Sequence, residues 1–395
     1  MIATLAAIAA AALVAVPALA DEPARKADAT AVIAADLAPR LQAVLGRAGG
    51  NAPEIARAFT LIPAKYHDAA LYLVEGMPPV DLGAVKAELI ASDVTWAFKA
   101  RDEFPFAAKV PMPIFLAYVL PHRVTQEPLE DFRPFLWPHL APLLAGVTSV
   151  NEAAVIVNKW CGDHIYYKVT SYRDQGPMET LKSGYGRCEE MMILFVDACR
   201  TVGIPARETY TPFWSTCNDN HAWTEVFGDG MRWYYTGSAE PRPTLDDAWF
   251  NAGAKRAAII LSVPYGVPDT GEDFYRREAN FAVVNSTPRY LDACDLRIRV
   301  TGADGITEAG IPVAVSVFNY GALRPVAKLK TDAGGYASVR VGAGDLWISA
   351  GWPTEHATRI VHTVFGKQVL VGLRLKKDDA VPGAFWLKYP PPPGK

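Results

Sequence analysis

The chain has 395 residues, half of them hydrophobic and 11% aromatic, which is enough to build buried cores in two or three domains. A formal charge of −3 gives no electrostatic case for a nucleic-acid partner. With 31 prolines and 30 glycines, many connections should be fixed turns rather than loose tails.

Residues 1–20, MIATLAAIAAAALVAVPALA, form an uncharged apolar run that closes on Ala18-Leu19-Ala20 just before Asp21 and Glu22. Small residues at Ala18 and Ala20 suit a signal peptidase, so the run is read as an export signal cleaved after Ala20. That predicts a secreted or periplasmic protein with no membrane span left after cleavage. The run lacks an initial Lys or Arg, and an uncleaved anchor is the alternative. Residues 21–145 read as helical, with apolar residues at helical spacing in 31–45, 55–59, 66–74 and 85–100 between Gly-Gly-Asn-Ala-Pro and Met-Pro-Pro breaks. The apolar run at 113–123, PIFLAYVLPHR, is expected to pack as core, with a wall to one side of a cleft as the alternative. A further helix is predicted over 150–169, with Trp160 on it and Tyr166 and Tyr167 at its end. The loop that follows carries Arg173, Asp174 and Gln175.

Residues 183–241 organise the chain. In SGYGRCEEMMILFVDACRTVGIPAR, Gly184 and Gly186 permit a tight turn, and Cys188 falls in the first turn of an amphipathic helix. Unpaired N–H groups and the positive dipole end at that position are expected to lower the pKa of its thiol. Cys188, Met191, Phe195, Cys199 and Val202 form one helical face, and Gly203 and Pro205 end the helix. In NDNHAWTEVF, alternation puts His221, Trp223, Glu225 and Phe227 on one face of a strand. If Gly228-Asp229-Gly230 is the hairpin loop, Phe227 pairs with Met231, Glu225 with Trp233, Trp223 with Tyr235 and His221 with Gly237.

This stretch resembles the core of the transglutaminase-like superfamily of papain-type thiol enzymes. The resemblance is carried by GRCEE (186–190), VGIPAR (202–207), NHAWTEV (220–226) and the strand from Trp233. It implies Cys188 as nucleophile and His221 as base. The third family position, an aspartate that orients the imidazole, falls by the pairing above on Gly237, which has no side chain. The nearest carboxylate is Glu240, and the GSAEP ending followed by Ala248-Trp249-Phe250-Asn251 is similar to a bacterial branch of the superfamily, so Glu240 is placed as orienter. Trp160, Arg173, Gln175, Tyr185 and Trp223 are the expected substrate-binding residues.

Residues 241–295 suggest a short helix and a strand that close the core. After Asp295 the period changes to two, and seven short strand candidates separated by Gly/Asp turns predict a small antiparallel sandwich. Through TDAGGYASV (331–339) it resembles immunoglobulin-like or carboxypeptidase-regulatory-like β-domains, which commonly serve as spacers or supports. Pro390 to Pro393 predict an extended tail.

The expected architecture is α+β: signal peptide 1–20, helical N-terminal region 21–145, transglutaminase-like (papain-type) catalytic core 146–292, C-terminal β-sandwich 293–378 and Pro-rich tail 379–395. The five cysteines (161, 188, 199, 217, 294) are odd in number, so an exported chain keeps at least one thiol free or shares it between chains. No Cys/His spacing suits zinc, and no cofactor is implied. The expected activity is cysteine-dependent attack on peptide or glutamine-like amides, with hydrolysis preferred over amine transfer because no calcium-ligand cluster is visible. Peptides, proteins or cell-wall peptides are the expected substrates. The competing expectation is a weakened enzyme fold acting as a protein or cell-wall binding module.

Overall fold

The computed structural model describes residues 33–170, 173–377 and 386–388. The expected signal peptide lies outside these residues, as does the expected tail apart from 386–388. Among the described residues no helix is long and apolar enough to cross a membrane.

The N-terminal part is helical: α1 (Ala38–Ala48), α2 (Ala52–Leu61), α3 (His67–Gly76), α4 (Ala87–Glu103), α5 (Met112–Tyr118) and α6 (Phe132–Leu140). Each buries one stripe, as α1 does with Leu41, Val44, Leu45 and Ala48. Proline in the first turn of α1, α2 and α5 supplies a pre-set φ where no intrahelical N–H bond is needed. The layer is fastened to the rest of the chain by Arg133 of α6, which is wholly buried. Its guanidinium donates to Asp93, to Arg200 O, and to the carbonyls of Val119, Leu120 and Pro121. One cation thereby satisfies the exposed carbonyl ends of two helical segments.

Helix α7 (Val150–His164) is capped by Ser149, whose Oγ accepts the Glu152 N–H at 3.1 Å. It ends at His164 rather than near residue 169, because the next residues turn extended: β1 (Tyr166–Tyr167) pairs in parallel with β2 (Tyr185–Gly186). Helix α8 (Pro177–Ser183) stops at Gly184, which takes a left-handed φ of 75°. Helix α9 (Cys188–Thr201) then runs through the interior, and every residue from Glu190 to Thr201 is buried. Its expected single apolar face is thus too narrow a description.

Helix α9 packs on a six-stranded antiparallel sheet of order β5-β4-β3-β6-β8-β7, formed by β3 (Ala206–Thr211), β4 (His221–Gly228), β5 (Arg232–Thr236), β6 (Leu261–Ser262), β7 (Phe274–Arg277) and β8 (Ala282–Asn285). The β4–β5 register differs from the expected one by two residues. Glu225 pairs with Tyr235, Phe227 with Trp233 and Gly228 with Arg232. Gly228 belongs to the strand, since a Cβ there would sit 2.0 Å from Asn151 Oδ1. The loop is Asp229-Gly230-Met231, with left-handed φ at Gly230 and Met231, and Asp229 is held by Ser149 Oγ and by the Val150 N–H. Continued past its last pair, Thr224–Thr236, this register brings Ala239 rather than Gly237 level with His221.

The C-terminal part has the seven expected strands: β9 (Cys294–Thr301), β10 (Pro312–Asn319), β11 (Ala322–Lys330), β12 (Tyr336–Val341), β13 (Gly344–Trp352), β14 (Glu355–Thr363) and β15 (Gln368–Arg374). They form sheets β11-β10-β13-β14 and β12-β9-β15 that share one core, with Leu296, Ile298 and Val339 from one sheet and Val315, Ile348 and Val361 from the other. The sandwich is antiparallel except for β9 and β15, which run parallel.

Candidate active site

Glu190 builds the start of α9. Its carboxylate accepts the Arg187 N–H, the Thr170 hydroxyl and the Gln175 N–H, which ties the loop before the helix to the helix's first turn. Gly186 is needed for this closure, because a Cβ there would lie 2.8 Å from Glu190 Cβ. Cys188 is thereby fixed as the first helical residue, with its backbone N–H outside the intrahelical ladder.

Cys188 and His221 line the same cavity, about 780 Å³ in volume. The Cys188 thiol donates to Glu189 Oε2 at 3.1 Å, and the backbone N–H groups of Ala222 and Glu189 point at its sulfur. Burial and the neighbouring Glu189 carboxylate push the thiol up to about 12, and the backbone donors only partly oppose this. The lowering expected from the helix terminus is therefore outweighed by desolvation and one adjacent carboxylate.

His221 is only 8% exposed and sits among aromatic rings: Phe250 at 4.9 Å, Trp249 at 5.0 Å, Trp223 at 5.7 Å and Trp214 at 6.4 Å between centroids. Burial takes the imidazole down to about 4, against the opposing pull of Glu189 and Asp219. Its Nε2 has no hydrogen-bond partner. Glu240 folds back over Gly237, where a Cβ would come within 2.3 Å of Glu240 Oε2. Its carboxylate nevertheless meets Trp249, whose indole N–H donates to Oε2 at 2.8 Å, and not His221. Glu240 thus touches the imidazole's aromatic neighbour, a correction to its expected place as the direct orienter.

The expected substrate-binding residues do not line this cavity. Trp160, on α7, stacks on His139 of α6 and packs with tilted rings against His164. Gln175 is spent on Glu190 and on the Ser183 hydroxyl, and Tyr185 lies under the Lys168 ammonium. Arg173 is exposed elsewhere on its loop. Trp223 is completely buried, with its indole N–H on Tyr290. The walls come instead from Tyr167, Glu189, Trp214, Asp219, Trp249 and Phe250, with Ser238 and Cys217. Of these, Tyr167, Trp249 and Phe250 stand out in the sequence as aromatics, but their convergence depends on bringing together two segments about 80 positions apart.

One wall is held from the C-terminal sandwich. The β10–β11 turn brings in Asn319, itself fully buried, whose Nδ2 donates to the carbonyls of Trp214, Cys217 and Asp219. Tyr320 adds its backbone N–H to Asn218 Oδ1 and its hydroxyl to Asp219 Oδ1. Among the described residues all five cysteines are free, and no group of His, Cys, Asp or Glu is arranged to hold a metal ion.

A helix-borne thiol and a strand-borne imidazole facing one cavity form the arrangement that a thiol nucleophile and its base need. Residues 139–237, a quarter of the chain, match the family model of the Transglutaminase-like superfamily, so this segment is similar to a transglutaminase-like core. No curated protein matches the chain. Among solved structures, a Cytophaga hutchinsonii protein described as a candidate cysteine protease is 19% identical, covering 37% of this chain and 50% of that one with a TM-score of 0.29. The TIE protein of Bacillus anthracis is 11% identical, covering 31% and 27% with a TM-score of 0.19. The chain spans half the length of the first and about a quarter of the second.

Proposed function

We propose that this protein is an exported cysteine-dependent enzyme that cleaves peptide or glutamine-like amides through a thioester. The observation that carries the reading is the shared cavity of Cys188 and His221, with the sulfur seated against the Ala222 N–H beside the histidine. In the proposed reaction His221 takes the thiol proton as Cys188 Sγ bonds the carbonyl carbon. The Cys188 N–H donates to the oxyanion. As the C–N bond breaks, His221 returns the proton to the leaving amine, and a water activated by the same imidazole then releases the acid and the free thiol. Glu240 acts as a positioning residue, holding Trp249 against His221. Residues 146–292 form the catalytic unit and 293–378 its support.

A second reading, a weakened enzyme fold that binds protein or cell-wall peptides, is favoured by one observation, the unpartnered Nε2 of His221. Product analysis separates the two. Purified protein incubated with a mixed pool of peptides and amines should release free acids, and Cys188→Ala should release none. Amine adducts in place of acids would establish transfer instead of hydrolysis. Equal product from the wild type and Cys188→Ala would remove the thiol mechanism.

A further inference from the structure

The cavity at Cys188 is acidic and aromatic, and we infer that its acyl donor is a segment bearing a positively charged side chain next to the amide that is attacked. The inference rests on the thiol-enzyme reading above and names its substrate class. Three carboxylates, Glu189, Asp219 and Glu240, line the cavity against one cation, Arg187. That cation is already committed, with its guanidinium on buried Asp174 and on Glu189 Oε2. A negative segment would therefore face Asp219 and Glu240, which have no ion-pair partner among the described residues, and a Glu189 that shares its one cation with Asp174, whereas a cation would replace its lost hydration with charge.

The aromatic walls fit the same ligand. Trp249 is 60% exposed, and its indole N–H is fixed on Glu240. Tyr167 and Trp214 contribute further rings to the cavity. Ring faces beside carboxylates are a favourable seat for an ammonium or guanidinium group. Asp219 is held by the Tyr320 hydroxyl and the Asn220 N–H, neither of them a cation.

The position of Glu189 decides which substrate carries the charge. It accepts the hydrogen of the reacting thiol itself, so forming the thiolate adds a second negative charge beside a carboxylate whose one cation, Arg187, is shared with Asp174. A positive group on Glu189 relieves that repulsion and favours transfer of the proton to His221. It has to be present before the sulfur–carbon bond forms, so it belongs to the acyl donor and not to an amine that arrives after acylation.

The test uses the full-length protein and paired fluorogenic peptides that differ only in arginine or citrulline beside the scissile amide. The arginine peptide is expected to show a kcat/KM about tenfold higher at low salt, with the ratio shrinking as ionic strength rises. Glu189→Gln and Asp219→Asn should each narrow it. Binding of both peptides to Cys188→Ala, followed by tryptophan fluorescence, is read independently of chemistry. Tighter binding of the arginine peptide there, with no turnover by the wild type, would support the substrate class while sinking the thiol-enzyme reading. Turnover of both peptides at equal rates would do the reverse. No preference in either binding or turnover, or a preference for citrulline, overturns the inference.

Discussion

Strand β4 carries two buried polar residues on one face, His221 at its start and Glu225 four positions on, with opposite fates. Glu225 is fully satisfied: Oε2 takes Arg207 Nε and Nη2 and the Ser262 hydroxyl, and Oε1 takes the Tyr290 hydroxyl. Arg207 continues the network to Tyr118 and Glu272 and stacks its guanidinium 3.7 Å from the Trp233 ring centroid. The paired cations hold the Glu225 carboxyl below its usual range despite burial. His221, by contrast, is buried among rings with one nitrogen unpartnered and its pKa lowered. A closed network fixes structure, while an open polar group beside a cavity is held ready for something that enters.

The sharpest way to break this comparison is at the cavity end. Cys188→Ala should lower amide turnover by about 10⁴-fold or more without altering the fold, as judged by circular dichroism. At the buried network, Arg207→Met should leave Glu225 with only the more distant Arg289, 3.5 Å away, as its cation and cost about 3–5 kcal/mol of stability in denaturant titration. Unchanged stability would mean that the network is ornamental.

The lowered pKa of His221 gives the next effect, and its sign is fixed. The unfolded chain binds a proton below about 6.5 while the folded imidazole resists it down to about 4, so stability falls as pH drops through that window. The contribution is roughly 3 kcal/mol, and His221→Gln should remove that part of the acid limb in thermal melts between the two pH values. Asn319→Ala leaves three loop carbonyls without their donor, costing about 1–3 kcal/mol of local order. It should appear as faster proteolysis within 213–220 and a lower kcat/KM, with the sandwich itself unchanged. The smallest effect is expected for Glu240→Gln, a few-fold loss of turnover with the indole contact weakened. A loss as large as that of Cys188→Ala would instead return Glu240 to direct contact with the imidazole during reaction.

Much of the fold was legible in local pattern. The helical N-terminal part, the helix opening at Cys188, the strand opening at His221 and all seven sandwich strands follow from 3.6- and 2-residue periods and their Gly/Pro breaks. The β4–β5 register was not legible, because the place of Gly228 depends on Asn151, 77 positions earlier, filling the space of a Cβ. The expected binding residues missed the cavity for a related reason. Tyr185, Gln175 and Trp223 are close to Cys188 or His221 in sequence, but their side chains are engaged by Lys168, Ser183 and Tyr290.

The sequence by itself therefore determined which elements exist and which residue types head them, since those depend on neighbours within a turn or a strand pair. Only the tertiary structure decided what surrounds the thiol and the imidazole: the carboxylate beside Cys188, the rings around His221 and the Asn319 clamp from the far sandwich. The physical reason is that burial and charge set the chemistry of a titrating group, and both are sums over atoms that the chain brings together from distant positions.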